Sequence, residues 1–229
     1  MSEYVYEGSE LLFLGEQLSN YNASIAKLVA SEAPAGAAVL DFGAGFGTLT
    51  RAVEQLIGKP DCVEPDARQR EALSRAGFRC FEGIETVSDA SYGYVYSSNV
   101  LEHIEDDVAA LRSLHRVLRP GGRLVLYLPA FQSLYSAVDA AIGHYRRYDA
   151  AMISERLRQA GFRVERTRYA DVLGFGVALL FKLISNRVGG VNARRMRLYD
   201  SLIFPVSRTI EGIMRPPFGK NVIAVATRE

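Results

Sequence analysis

The chain has 229 residues, 48% of them hydrophobic, with 20 glycines, 8 prolines and 2 cysteines, enough for one α/β domain with a full core and too few for a second complete one. Its 27 basic and 26 acidic side chains give a net charge of +1, which argues against a general nucleic-acid binder, since such proteins usually carry a marked basic excess. The residues from Met1 to Glu7 lack the basic region and long apolar stretch of a secretory signal, so a cytoplasmic location is expected, with Cys62 and Cys80 as free thiols.

Apolar residues at helical spacing run from Leu11 to Ala30, and Pro34-Ala35-Gly36 then breaks the pattern. This predicts a leading helix able to cover a ligand. Strand and helix patterns alternate from there: strand 39–42, helix 47–57, strand 60–64, helix 66–76, strands 78–82 and 93–98, helix 106–118 and strand 122–129. Such alternation predicts a parallel sheet with helices on both faces. Arg119-Pro120-Gly121-Gly122 reads as a helix stop and a turn. A helix over 150–160 ends at Gly161, and strands follow over 162–169 and 221–227. Between those two strands lies an apolar and basic insertion, 171–218, of the length that tends to form a lid or binding element. The expected organisation is a single domain over 1–229, with a helical cap (1–35), a ligand-binding core (36–170), a helical insertion or lid (171–218) and a last strand (219–229).

The run from Val39 to Thr50 reads as a buried strand, a glycine-rich turn and the start of a helix. Glycines at 43, 45 and 47 let the backbone take positive φ and let a ligand approach closely. A dinucleotide fingerprint would place its third glycine at position 48, where Thr48 stands, which weakens a nicotinamide or flavin reading. Glu64 follows at the end of the second strand, where a carboxylate can accept both hydroxyls of a ribose. The loop and this acid point to one nucleoside ligand. No metal-ligand spacing is visible, and the serine-containing stretches at Ser97-Ser98 and Ser133 to Ser136 form no nucleophile elbow.

With these residues in hand, the chain resembles the class I S-adenosylmethionine-dependent methyltransferases over about residues 36–170. Asp41-x-Gly43-x-Gly45-x-Gly47 matches the family's first motif and Glu64 its ribose-binding acid. Phe81-Glu82-Gly83-Ile84 stands where the family contacts the adenine, Ser98 to Ile104 matches the motif after strand four, and Leu118 to Gly122 the stretch before strand five. A narrower likeness, from Leu128-Pro129-Ala130 through Leu134-Tyr135-Ser136 and Asp139 to Gly143-His144-Tyr145-Arg146-Arg147-Tyr148, is to a bacterial small-molecule branch with a G-H-x-R-R-Y element. The resemblance implies a Rossmann-like, doubly wound, seven-stranded and mostly parallel sheet with an antiparallel last strand. It implies S-adenosyl-L-methionine as cofactor and S-adenosyl-L-homocysteine as product. The cofactor would be held by Asp41, Gly43, Ala44, Gly45, Gly47, Glu64, Pro65, Gly83, Ile84, Asn99, Val100 and Leu101, with Tyr21 closing over it.

A sulfonium already carries an activated methyl group, so the main task is to align the acceptor and exclude water. Where the acceptor is a hydroxyl, a histidine could take its proton. His103 and His144 are the candidates; the alternative for His103 is a residue that shapes the pocket, and for His144 one that orients the acceptor. Tyr135, Arg146, Arg147 and Tyr148 are expected to face the acceptor. The guanidinium groups would suit an anionic one, unless one of them is consumed by an internal ion pair with Asp139 or Asp149. The apolar run Val172 to Phe181, followed by Lys182, Arg187, Arg194, Arg195 and Arg197, is too short to span a bilayer. It suits an amphipathic lid, a dimer contact, an interfacial helix for lipid-like acceptors, or packing on its own domain.

The resulting expectation is methyl transfer to a small molecule, oxygen preferred over nitrogen or carbon, by a monomer or homodimer with no nucleic-acid partner and at most peripheral membrane contact. The rivals are a catalytically silent cofactor-binding partner subunit and a nicotinamide oxidoreductase. A nucleic-acid methyltransferase is disfavoured by the absence of an N/D-P-P-Y/F motif, since Ser98-Asn99-Val100-Leu101 occupies that place.

Overall fold

A computed structural model describes residues 18–184 and 193–229. In chain order the elements up to the lid are α1 (Ser19–Glu32), β1 (Val39–Phe42), α2 (Thr48–Ile57), β2 (Asp61–Val63), α3 (Ala67–Arg75), β3 (Cys80–Phe81), β4 (Tyr92–Ser98), α4 (Asp107–Val117), β5 (Leu118–Pro129), α5 (Ala137–Ala141), α6 (Ala150–Gln159) and β6 (Phe162–Ala170). The lid supplies α7 (Val172–Ile184), α8 (Ala193–Leu198), a π-helical turn (Tyr199–Ile203) and α9 (Phe204–Ile213), and β7 (Asn221–Arg228) closes the sheet.

The seven strands lie in the order β3-β2-β1-β4-β5-β7-β6, and β7 runs antiparallel to both of its neighbours. The central strands read as continuous apolar runs because both faces are covered. Successive residues point to opposite faces. Leu40, Val95 and Leu124 therefore join the core on one side, while Val39, Tyr94 and Val125 join the core that packs against α1 and α9 on the other. The strand order reverses between β1 and β4. In open α/β sheets the crevice at the carboxyl ends of such strands is where ligands bind.

The elements fall close to their expected bounds, with informative exceptions. The leading helix is described only from Ser19, so its predicted beginning at Leu11 lies outside the described residues, as does Arg187. β3 is reduced to two residues at the sheet edge. β5 begins earlier than the helix-stop motif suggests: Leu118 pairs with Tyr92, the chain bulges through Gly121 at φ +75°, and pairing resumes at Arg123 opposite Tyr94. α5 was not visible as a pattern because five residues are too few to show a period. It is nucleated instead by a capping box in which Ser136 and Asp139 satisfy each other's end of the turn. Cys62 and Cys80 are register partners on β2 and β3, and both are free thiols. Among the described residues no helix is long and apolar enough to cross a membrane.

Candidate functional site

The crevice is built around the glycine loop. Gly43, Gly45 and Gly47 have φ of +82°, +58° and +82°, a region L side chains rarely adopt. Gly43 and Ala44 both donate backbone hydrogen bonds to Val63 O, at 2.9 and 3.2 Å, so the loop is pinned to the end of β2. Gly45 N–H donates to Glu64 Oε2 at 2.8 Å, and Asp66 N–H donates to Oε1 at 2.9 Å. The predicted ribose acid is thus joined directly to the predicted loop. Burial raises the Glu64 pKa, against these two donors. Pro65 is exposed beside it.

Asp41 sits deeper. Its Oδ2 accepts from Thr50 Oγ1 at 2.7 Å and Tyr96 OH at 2.8 Å, which fixes the start of α2 against β4. Burial pushes its pKa up to about 7, with those two hydroxyls opposing the rise. At the far side of the crevice Asn99 is exposed and holds φ +54°, a left-handed conformation that asparagine tolerates better than most residues. Val100 packs on Gly43. Gly83 and Ile84 form the turn after β3, with Ile84 against the core. Leu101 is different from the expectation for a cofactor contact: its side chain is in the core, because the turn after β4 rotates it inward and leaves only its backbone near the crevice.

Tyr21 roofs the same end of the sheet. Its ring meets Tyr127 and Phe204 edge-on at centroid distances of 5.8 and 5.3 Å, and its hydroxyl donates to Asn221 Oδ1 at 3.4 Å. Burial raises the phenol's pKa. Asp200 of the lid accepts from the backbone N–H of both Asn20 and Tyr21, at 2.9 Å each, and so caps α1 from another element. Lys220, which no sequence pattern singles out, places Nζ over the Tyr21 and Tyr199 rings at 5.6 and 5.4 Å. Burial lowers its pKa, with Asp171 partly restoring it.

The G-H-x-R-R-Y element folds against the turn after β4, but most of its side chains are spent on holding it there. Tyr135 OH donates to His144 O at 2.6 Å. Arg147 grips Asp139 with Nε and Nη2 at 2.8 and 3.1 Å, the ion pair weighed as the alternative to acceptor contact. Arg146 pairs with Asp107 at 2.9 Å and donates to the carbonyls of Ile104 and Glu105. Tyr148 is fully buried and donates to Asp107 Oδ2 at 2.8 Å, drawn inward by the bridge between Ala130 and itself. The expectation that these four groups face an acceptor is therefore corrected: they brace the loop. Asp107 also pairs with Arg156. This buried hub was missed because an aspartate in a first helical turn reads as routine.

What the loop presents is a cluster of Glu102, His103 and His144. The two rings meet edge-on with centroids 4.5 Å apart, and His144 Nε2 lies 3.8 Å from Glu102 Oε1. His144 Nδ1 is hydrogen-bonded to Asp139 Oδ1 at 2.8 Å. Burial lowers the His103 pKa to about 4, with His144 adding to the effect, and burial raises Glu102 to about 8. Burial would raise Asp139, but hydrogen bonds from His144 and Arg147 outweigh it and hold the carboxyl well below its ordinary range. A separate recess of about 450 Å³ between α1 and α9, lined in part by Lys27, Arg168 and Arg208, is not part of this crevice.

Residues 14–167 match the family model described as a methyltransferase domain. An uncharacterized methyltransferase of Mycobacterium sp. (strain JLS) is 32% identical over 154 residues, covering 63% of this chain and 61% of that protein. A malonyl-[acyl-carrier protein] O-methyltransferase of Pseudescherichia vulneris is 29% identical over 123 residues, 49% of each chain. The chain thus spans less than two thirds of the length of these relatives. Among solved structures, a Thermotoga maritima methyltransferase described as a possible histamine N-methyltransferase superposes with a TM-score of 0.65 at 16% identity, covering 96% of this chain and 94% of that one. The Burkholderia thailandensis 1,6-didemethyltoxoflavin-N1-methyltransferase, solved with S-adenosylhomocysteine, gives 0.60 at 16% identity, with coverage of 97% and 83%. These structures share the overall fold, and the span matched by the family model contains the glycine loop, Glu64 and the turn after β4: the chain belongs to the methyltransferase domain family.

Proposed function

We propose that the protein transfers a methyl group from S-adenosyl-L-methionine to a small-molecule acceptor, with oxygen preferred over nitrogen or carbon. The observation that carries this reading is the bond from Gly45 N–H to Glu64 Oε2, which joins a left-handed glycine loop at the strand-order reversal to a carboxylate at the end of β2. That geometry suits a ribose on Glu64, the methionine end along Gly43 to Gly47 near Asp41, and the adenine at Gly83 and Ile84. Tyr21 closes over the cofactor, and Asn99 and Val100 form the opposite wall. His103 and His144 receive the acceptor's reacting atom.

An anionic acceptor loses its warrant once Arg146 and Arg147 are internally paired. A lipid-like acceptor gains support from the lid, where Leu180, Leu183 and Ile213 are 58%, 74% and 83% exposed. Calorimetric titration with S-adenosylmethionine and S-adenosylhomocysteine tests the cofactor reading. Micromolar binding, weakened at least tenfold by Glu64→Gln, is the expected result. A folded sample that binds neither compound would overturn it and return the nicotinamide reading. Tight binding with no methyl transfer to any acceptor would favour the silent partner subunit.

A further inference from the structure

Glu102 is completely buried, and among the described residues neither Oε1 nor Oε2 has a hydrogen-bond partner from another residue. A buried carboxyl group without a partner is costly to hold, and buried polar groups are found hydrogen-bonded or on metal ions. Among the described residues no cationic side chain is hydrogen-bonded to it. Arg147 is the charged group that opposes it, yet that guanidinium is committed to Asp139 through two hydrogen bonds. The neighbours it does have are two imidazoles.

Both imidazoles are fixed. His144 gives Nδ1 to Asp139, which leaves Nε2 on the Glu102 side. A carboxylate on the far nitrogen of a histidine is the arrangement that orients metal-ligating imidazoles and raises their basicity. Asp139 is itself anchored by Arg147 and Ser136. His103 is held by the backbone at Ile142 and Gly143. The two segments are clamped in register, with Tyr145 N–H donating to Glu102 O at 2.8 Å. One ligand atom from each of Glu102, His103 and His144 lies within 4.8 Å of the other two. Donors of a tetrahedral site with bonds of about 2.0–2.1 Å stand roughly 3.3 Å apart, so the three oriented side chains draw together when a cation binds.

We propose that Glu102, His103 and His144 form a binding site for a divalent transition-metal cation of the zinc class. Two imidazoles and one carboxylate favour zinc, cobalt or iron over calcium or magnesium, which take oxygen-only shells. Three protein ligands leave a coordination position open, as in catalytic rather than structural sites. An acceptor oxygen can occupy that position; this last step rests on the methyl-transfer reading, whereas cation binding does not.

The test uses the untagged chain, stripped with chelator and titrated with Zn²⁺ and Co²⁺. The expected result is one equivalent bound per chain, with a visible d–d band for Co²⁺. His144→Gln and His103→Gln should each weaken binding at least 100-fold, and Asp139→Asn about 10- to 100-fold through the loss of imidazole orientation. A Cys62→Ser, Cys80→Ser double variant should keep the full equivalent, which separates this site from thiol binding. Circular dichroism and S-adenosylmethionine affinity, read on the same samples, report folding. The proposal is overturned if folded wild-type protein takes up no saturable equivalent, or if both histidine variants bind as wild type does. The two histidine variants, whose folding is read on the same samples, decide the matter even if the buried Glu102→Gln variant does not fold. Metal uptake without S-adenosylmethionine binding would count against the methyl-transfer reading and leave the cation site standing.

Discussion

A Cβ added to Gly43 would stand 2.3 Å from Val100 Cγ2, so the first glycine of the loop and the turn after β4 are in direct contact across the crevice. In the proposed cofactor site that contact sets loop backbone on one side against a single valine on the other. Gly43→Ala should therefore weaken S-adenosylmethionine binding by at least 100-fold. Val100→Ala in the same chain should recover only part of the loss, because the clash is relieved while φ of +82° still opposes an L side chain. Calorimetric titration of the single and double variants checks this; full recovery would mean that sterics alone, and not backbone conformation, set the glycine requirement.

Asp41 gives a pH dependence with a definite sign. Its folded-state pKa, pushed up to about 7 by burial, exceeds the ordinary carboxylate value, so the native state holds a proton that the unfolded chain has released. Stability from this group falls as pH rises from about 4 to about 7 and is flat above, with an upper bound of roughly 4 kcal/mol. Asp41→Asn should remove that slope. Urea unfolding of both proteins at pH 5 and pH 8 reads it as a smaller difference between the two pH values in the variant.

Arg147 and Asp139 are both nearly buried, with side-chain exposures of 12% and 2%. Truncating one member of such a pair strands the other, at a cost of about 3–5 kcal/mol. Arg147→Ala should lower the unfolding midpoint accordingly, and its activity loss should be the same for anionic and neutral acceptors. A loss confined to anionic acceptors would reinstate direct recognition by the arginine.

Asp200 caps α1 from the lid. The residue preceding that helix, Leu18, makes no side-chain cap bond, so the carboxylate of Asp200 supplies what the local sequence lacks. Asp200→Ala should cost about 1 kcal/mol, as lost N-caps do, and Asp200→Asn less. Limited proteolysis should show faster cleavage in the lid of Asp200→Ala, because the same bonds tie α9 and its preceding turn to the cap helix.

The amino-acid sequence by itself determined the sheet, its helices and the left-handed glycine loop, because those features are local. Continuous apolar runs make β1, β4 and β5 legible, and glycines at alternate positions mark the turn through Gly43, Gly45 and Gly47. Glu64 was readable because it follows its strand directly. The acceptor half was not, since its logic is pairing between distant segments. Whether Arg147 meets a substrate or Asp139 depends on a capping box in a five-residue helix, and whether Arg146 is free depends on Asp107 in another helix. Glu102, His103 and His144 show no ligand spacing along the chain, and come together only because the loop after β5 folds back over the turn after β4. Side-chain chemistry at one position can be read from its neighbours in sequence. Which charges cancel, and which are left facing a ligand, is decided by tertiary contact alone.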